Sequence, residues 1–189
     1  MTPTQIIKAY KIPVNRKVSP KYKLNYDGKW INAKGLDKSN LLHEICHWIM
    51  ASPKQRRMPD YGLGEGPSET NDLFFEAMEK LGQKPMTGKF GYTQEIKTCT
   101  LQFIFTALCG LDCKEEMENL KFTTYGYRAG AWESRRIQKE FNQDIEKFKR
   151  QRLINEDWMP AKLKSFATEK DRVRLKNFRT LIDKLNWND

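Results

Sequence analysis

The sequence predicts an α+β fold, mostly helical, in a single domain that opens with an N-terminal β-hairpin region. Three observations predict it. Tyr22, Leu24 and Tyr26 alternate up to Asp27-Gly28, and Lys29-Trp30-Ile31 follow, the pattern of two strands about a tight turn. From Ser39 the apolar spacing changes to threes and fours, the period of a helix with one face in a core. The last third places charged residues between Ile137, Phe141, Ile145 and Phe148, as amphipathic helices do.

Taken in order, residues 1–38 read as β and turn, ending at Gly35 and Asp37. Residues 39–110 read as a core of three helices. The first begins with Ser39 as N-cap, carries Leu41, Leu42, Ile45, Cys46, Trp48 and Ile49, and stops at Ser52-Pro53. After a loop rich in Gly and Pro, the second runs from about Ser68 to Leu81. Leu73, Phe74, Ala77, Met78 and Leu81 are expected inward, and Gly82 is its stop. The third is expected from about Thr93 to Gly110 and is apolar on nearly every side, which makes it central. Residues 111–189 read as basic C-terminal helices, the last from about Lys170 to Leu185 with Val173, Leu175, Phe178, Leu181, Ile182 and Leu185 buried.

A chain of 189 residues with 12% aromatics can bury a core of its own, which excludes a disordered chain. No apolar run reaches membrane-spanning length and the start lacks a signal-peptide core, so a cytoplasmic location is expected. The four cysteines, Cys46, Cys99, Cys109 and Cys113, are too few and too irregular for a disulfide framework and read as reduced thiols. The net charge of +10 is uneven. Residues 1–40 hold nine Lys and Arg against two acids, residues 131–189 hold fifteen against ten, and the middle is slightly acidic. Basic flanks of this kind attract a polyanion or an acidic protein, or simply solvate a surface.

Both histidines of the chain lie in "SNLLHEICHWIM". On a helix His43 and His47, at i and i+4, share one face and can direct both imidazoles at one cation. Glu44, about 100° around the helix from His43, borders that face where an acid/base group would act. The helix is thus zincin-like and metal-binding, with Glu44 as candidate catalytic residue. Two histidines leave a protein ligand to find. The acidic candidates downstream are Asp60, Glu65, Glu69, Asp72, Glu76, Glu79 and Glu95. Glu95 differs from the rest because it opens the most apolar helix, where a carboxylate needs a partner: a metal, or else the helix dipole. Two His and one carboxylate serve Zn(II) in hydrolysis or Fe(II) in oxygenation, and ligand identity does not choose between them.

The stretch "LLHEICHWIMASPKQRRMPDYGLG" resembles the core of the elongation factor P hydroxylases, in which an H-E-x-x-H-W helix precedes two arginines and an aspartate-aromatic-glycine step. The matching residues are His43, Glu44, His47, Trp48, Arg56, Arg57, Asp60, Tyr61 and Gly62. The stretch "QEIKTCTLQFIFTALCG" is similar to that family's E-V-K-P-Q-A-L-E-W helix through Glu95, Lys97 and Leu101, with Thr98-Cys99 in place of Pro-Gln. The resemblance implies metal ligation by His43, His47 and Glu95. It also implies substrate contacts from Arg56, Arg57, Asp60, Tyr61 and Lys97, and hydroxylation of a protein side chain on a translation-factor-like, acidic partner. Leu63-Gly64-Glu65 replaces the family's aromatic run, which implies an altered substrate surface.

Three readings follow: a hydroxylase-like metalloenzyme, a zinc hydrolase or peptidase of H-E-x-x-H type, and a binding module whose basic ends hold nucleic acid or protein around a structural metal. Phosphate loops, nucleotide fingerprints and glycosidase carboxylate pairs do not occur, and Ser/His/Asp catalysis is disfavoured because both histidines are committed.

Overall fold

Helix α1, Pro3–Tyr10, stands where β structure was expected, and the cause is a capping box at its start. Thr2 Oγ accepts from the Gln5 backbone N–H while Gln5 Oε1 accepts from the Thr2 N–H at 2.8 Å, and Pro3 supplies a preset φ. Ile6 and Tyr10, one turn apart, are buried. The computed structural model describes residues 1–19, 24–63, 68–86, 89–115 and 134–184. Tyr22, Glu65 and Leu185, and the side chains of Glu69 and Ile137, fall outside the described residues.

The chain gathers into two compact units, Tyr10–Thr98 and Met1–Ala9 with Cys99–Asp189. The first contains the only regular strand pair among the described residues, β1 (Val14–Asn15) and β2 (Ile31–Asn32), which run parallel with Val14 opposite Ile31. The expected hairpin survives as one antiparallel bridge, Tyr26 to Ile31. The reason lies in the turn. Asp27 Oδ1 accepts from the N–H groups of both Lys29 and Trp30, at 2.9 and 2.7 Å, which makes a four-residue loop in place of a two-residue one. β2 is left as a middle strand: the Ile31 N–H goes to Pro13 O on one side, and the Asn32 N–H goes to Asn25 O on the other. Both β2 residues are buried.

Helix α2, Lys38–Met50, follows as expected, but its N-cap is Asp37 and not Ser39. Asp37 has an extended backbone and its carboxylate accepts from the Asn40 N–H at 2.8 Å and from Asn40 Nδ2 at 2.7 Å. A carboxylate at the cap also meets the positive end of the helix. Leu42, Ile45 and Cys46 are fully buried.

Helix α3, Ser68–Lys80, buries Phe74 and Met78 in a cluster with Leu24 and Met58, with Ala77 and Met86 packed against it. Leu73 and Leu81 were expected inward and are 43% and 49% exposed. Phe74 and Met78, four apart, define a face too narrow to include them. Gly82 ends the helix at φ +60, where a side chain would be strained, and its neighbour Gln83 donates back to Met78 O at 3.0 Å.

Helix α4, Lys89–Cys109, starts a full turn before the expected Thr93. Every residue from Thr98 to Leu108 is buried, in keeping with its all-round apolar character. In the second unit, α5 (Ser134–Arg150) buries Phe141, Ile145 and Phe148, and α6 (Glu169–Lys184) buries Leu175, Phe178 and Ile182. Val173 is 47% exposed, against expectation, because it falls between the 171–175–178–182 positions that form the buried stripe. Phe103, Phe141, Trp158 and Phe178 form a chain of ring contacts with successive centroids 5.7 to 6.3 Å apart. Asp171 is buried among donors: Thr168 N–H at 2.9 Å, Thr168 Oγ at 2.7 Å and the chain's amino group at 2.5 Å. No helix among the described residues is long and apolar enough to cross a membrane.

The cap assignment has a direct consequence for stability. Asp37→Ala is expected to lower the unfolding free energy by about 1 kcal/mol in urea titrations. Ser39→Ala, which leaves that cap in place, should cost distinctly less.

Candidate metal centre

Two helices build the site. α2 carries His43 and His47 one turn apart, and α4 brings Glu95 up to both. His43 Nε2 lies 3.1 Å from Glu95 Oε1, His47 Nε2 lies 3.1 Å from Glu95 Oε2, and the two Nε2 atoms are 3.0 Å apart. The rings stand edge to face at 88° with centroids 4.5 Å apart. Glu95 is the seventh residue of its helix, well past the first turn in which a helix dipole holds a carboxylate, so pairing with the dipole does not explain it.

The donor set fits a divalent cation. Donors about 2.1 Å from one ion and at right angles to each other lie about 3.0 Å apart, and tetrahedral ones about 3.4 Å. The observed 3.0–3.1 Å is close to the first. Thr98 Oγ lies 3.3 Å from His47 Nδ1. With the proton on Nδ1 and donated to that oxygen, Nε2 turns a lone pair toward a carboxylate, an arrangement that a cation stabilises. Burial alone would raise the Glu95 carboxyl, but the imidazoles of His47 and His43, by charge and by hydrogen bonds, hold it well below the usual range.

Glu44 is buried, and burial pushes its carboxyl above the ordinary value against the lowering influence of His47 and His43. Asn25 Nδ2 donates to Glu44 Oε1 at 3.1 Å and fixes the carboxyl group. A buried carboxyl of raised pKa beside such a donor set is suited to holding or moving a proton.

The residues assigned to substrate contact divide differently. Arg56 lies with its guanidinium 3.8 Å from the Trp48 ring centroid and donates to Trp48 O and Ile49 O, so it closes the C-terminal end of α2. Arg57 is exposed. Lys97 is half-buried, and two residues past Glu95 it points about 200° away around the helix. Asp60 Oδ1 accepts from the Tyr26 N–H at 2.8 Å, and the Asp60 N–H returns a bond to Tyr26 O at 2.8 Å. Tyr61 is buried, stacked between Tyr26 (4.4 Å, 4°) and His47 (5.4 Å, 17°), and donates its hydroxyl to Glu44 O at 3.2 Å. Asp60, Tyr61 and Gly62 have φ of 40°, 56° and 75°, a left-handed run that costs about 1–2 kcal/mol at each of its two non-glycine residues.

Asn25, Tyr26 and Thr98 are site residues that the sequence reading did not assign. Thr98 had a signal, since it follows Glu95 by three on one helix face. Asn25 and Tyr26 had none, because a strand-like stretch does not announce which helix it will meet. No family model matches the chain, and comparison with curated proteins and with solved structures returned no match. The functional argument therefore rests on these side chains.

The Asp60 carboxyl is raised from 3.8 to about 7, by burial first and then by the charge of Glu44, with the Tyr26 N–H acting in the opposite direction. The folded state therefore holds a proton that the unfolded chain releases, so this group's contribution is fully present below pH 4 and is lost as pH rises through 7. Asp60→Asn keeps the acceptor oxygen and cannot ionise. Urea titrations at pH 5 and pH 8 should show a smaller loss of stability at pH 8 in the variant than in the parent.

Proposed function

We propose that the chain is a metal-dependent enzyme in which His43, His47 and Glu95 hold one divalent cation and Glu44 serves as acid/base for a reaction on a protein side chain. The observation that carries this reading is the mutual approach of the two Nε2 atoms and the Glu95 carboxylate to 3.0–3.1 Å. The resemblance to the elongation factor P hydroxylases supports hydroxylation as the chemistry and a cytoplasmic, acidic, translation-factor-like protein as partner. The basic flanks are suited to such a partner by charge.

Bound Fe(II) would supply activation of dioxygen, and bound Zn(II) a Lewis acid for hydrolysis. The side chains around the ion have tasks that either chemistry needs. Thr98 Oγ is placed to accept from His47 Nδ1 and so to fix its tautomer, and Asn25 Nδ2 donates to Oε1 of Glu44. Burial keeps the Glu44 carboxyl raised above the ordinary range, which favours its taking and returning a proton. A zinc hydrolase is the second reading, favoured by that buried glutamate directly after the first histidine.

Metal analysis of tag-free protein tests the proposal. About one equivalent of iron or zinc is expected, and His47→Ala or Glu95→Ala should reduce it at least tenfold. Protein holding neither metal would overturn the reading. Glu44→Gln should keep the metal while turnover falls by about 100-fold or more. A product 16 Da heavier than the substrate distinguishes oxygenation from the cleaved peptide of a hydrolase.

A further inference from the structure

Tyr61 is held in a way that ordinary core packing does not require. Its backbone is the middle of the left-handed run, at φ 56° and ψ 17°, with Asp60 before it and Gly62 after it also at positive φ. Surrounding bonds maintain this conformation. Asp60 exchanges two hydrogen bonds with the Tyr26 backbone, and Asp27 and Pro59 form an antiparallel bridge alongside. Gly62 has φ 75°, where a side chain would be strained, and a Cβ there would also push on the tips of Met86 and Met58, so the bend is best ended on glycine. The outcome of all this restraint is one placement, the Tyr61 ring between the Tyr26 ring and the imidazole of His47.

We propose that Tyr61 is a positioning residue for His47, setting the plane of the imidazole so that Nε2 faces Glu95 and the cation site. This rests on the metal reading above and deepens it. An imidazole on a helix has two torsions to fix. Thr98 Oγ at Nδ1 restrains rotation within the ring plane. Tyr61, nearly parallel to the ring at 17°, restrains its tilt. The Tyr61 hydroxyl is anchored on Glu44 O, so the stack is tied to the backbone of the helix that carries both histidines. Tyr26 closes the far face of Tyr61 at 4.4 Å and prevents it from swinging away. Groups that orient a ligand from behind typically change metal affinity by about 10- to 100-fold when removed. Such a role reassigns Tyr61 from substrate contact to support of the ligand.

Because the chain has only two histidines, a sample without an affinity tag shows only two sets of imidazole signals in NMR spectra. Co(II) titration followed in the visible spectrum gives affinity and coordination together. Tyr61→Phe keeps the ring and removes the anchor; it should bind Co(II) within about threefold of the parent, with an unchanged spectrum and an unchanged His47 ring shift. Tyr61→Leu removes the ring; it should bind about 10- to 100-fold more weakly, with an altered spectrum and loss of the aromatic ring-current shift at His47. Equal losses in both variants, or a Leu variant with parental affinity and spectrum, would overturn the proposal. If Tyr61→Leu does not fold, Tyr26→Leu takes its place. Weaker Co(II) binding with a displaced His47 signal supports the stack, and parental values for both refute it. A parent protein that binds neither Co(II) nor Zn(II) would sink the metal reading instead, while the imidazole shifts in the Phe and Leu variants still report whether Tyr61 sets the ring.

Discussion

Glu95 lying across His43 and His47 is the interaction on which the rest of the site depends. A carboxylate among buried groups is costly unless countercharge and hydrogen bonds meet it, and here both come from the imidazoles of α2. The arrangement is demanding in two directions at once. The histidines must share a face, which the helix period ensures, and α4 must present Glu95 to that face with both carboxylate oxygens engaged. Two imidazole nitrogens 3.0 Å apart, each 3.1 Å from one of the two oxygens of the same carboxylate, form a donor set of the kind that suits a divalent cation.

Around the donors, the supporting groups other than Thr98 come from irregular chain. Asn25 and Tyr26 flank a turn, and Asp60 and Tyr61 lie in a left-handed step. Loops are free to adopt such conformations where helices are not, which is why positioning groups concentrate on them when a rigid scaffold holds their ends. Here the scaffold is α2 itself: Tyr61 bonds its backbone, Arg56 caps its end, and Asp37 caps its start. The helix that carries both histidines is secured at both termini and along the face they share.

Two environments give two carboxyl groups opposite tendencies. Glu95 is held low by the imidazoles despite burial, while Glu44 next to His43 is raised by burial despite the same imidazoles. A carboxyl held ionised suits ligation and one whose pKa is raised suits proton transfer, so surroundings and not residue type distinguish the two.

What the amino-acid order determined by itself was local and periodic: the helices α2 to α6, the stop at Gly82, the burial of Phe141, Ile145 and Phe148, and the meeting of His43 with His47. Each depends on residues within one or two turns, where spacing translates directly into geometry. Helix α1 is equally local, written in Thr2-Pro3-Thr4-Gln5, but the alternating pattern that follows it points the opening toward β structure. Tertiary structure alone decided that β2 pairs in parallel with β1, that Leu73, Leu81 and Val173 face outward, that Arg56 serves a helix end, that Thr98 and Tyr61 meet His47, and that Asn25 meets Glu44. These depend on which surfaces meet. No spacing rule carries that, because a side chain's partner across a core is set by the packing of whole elements.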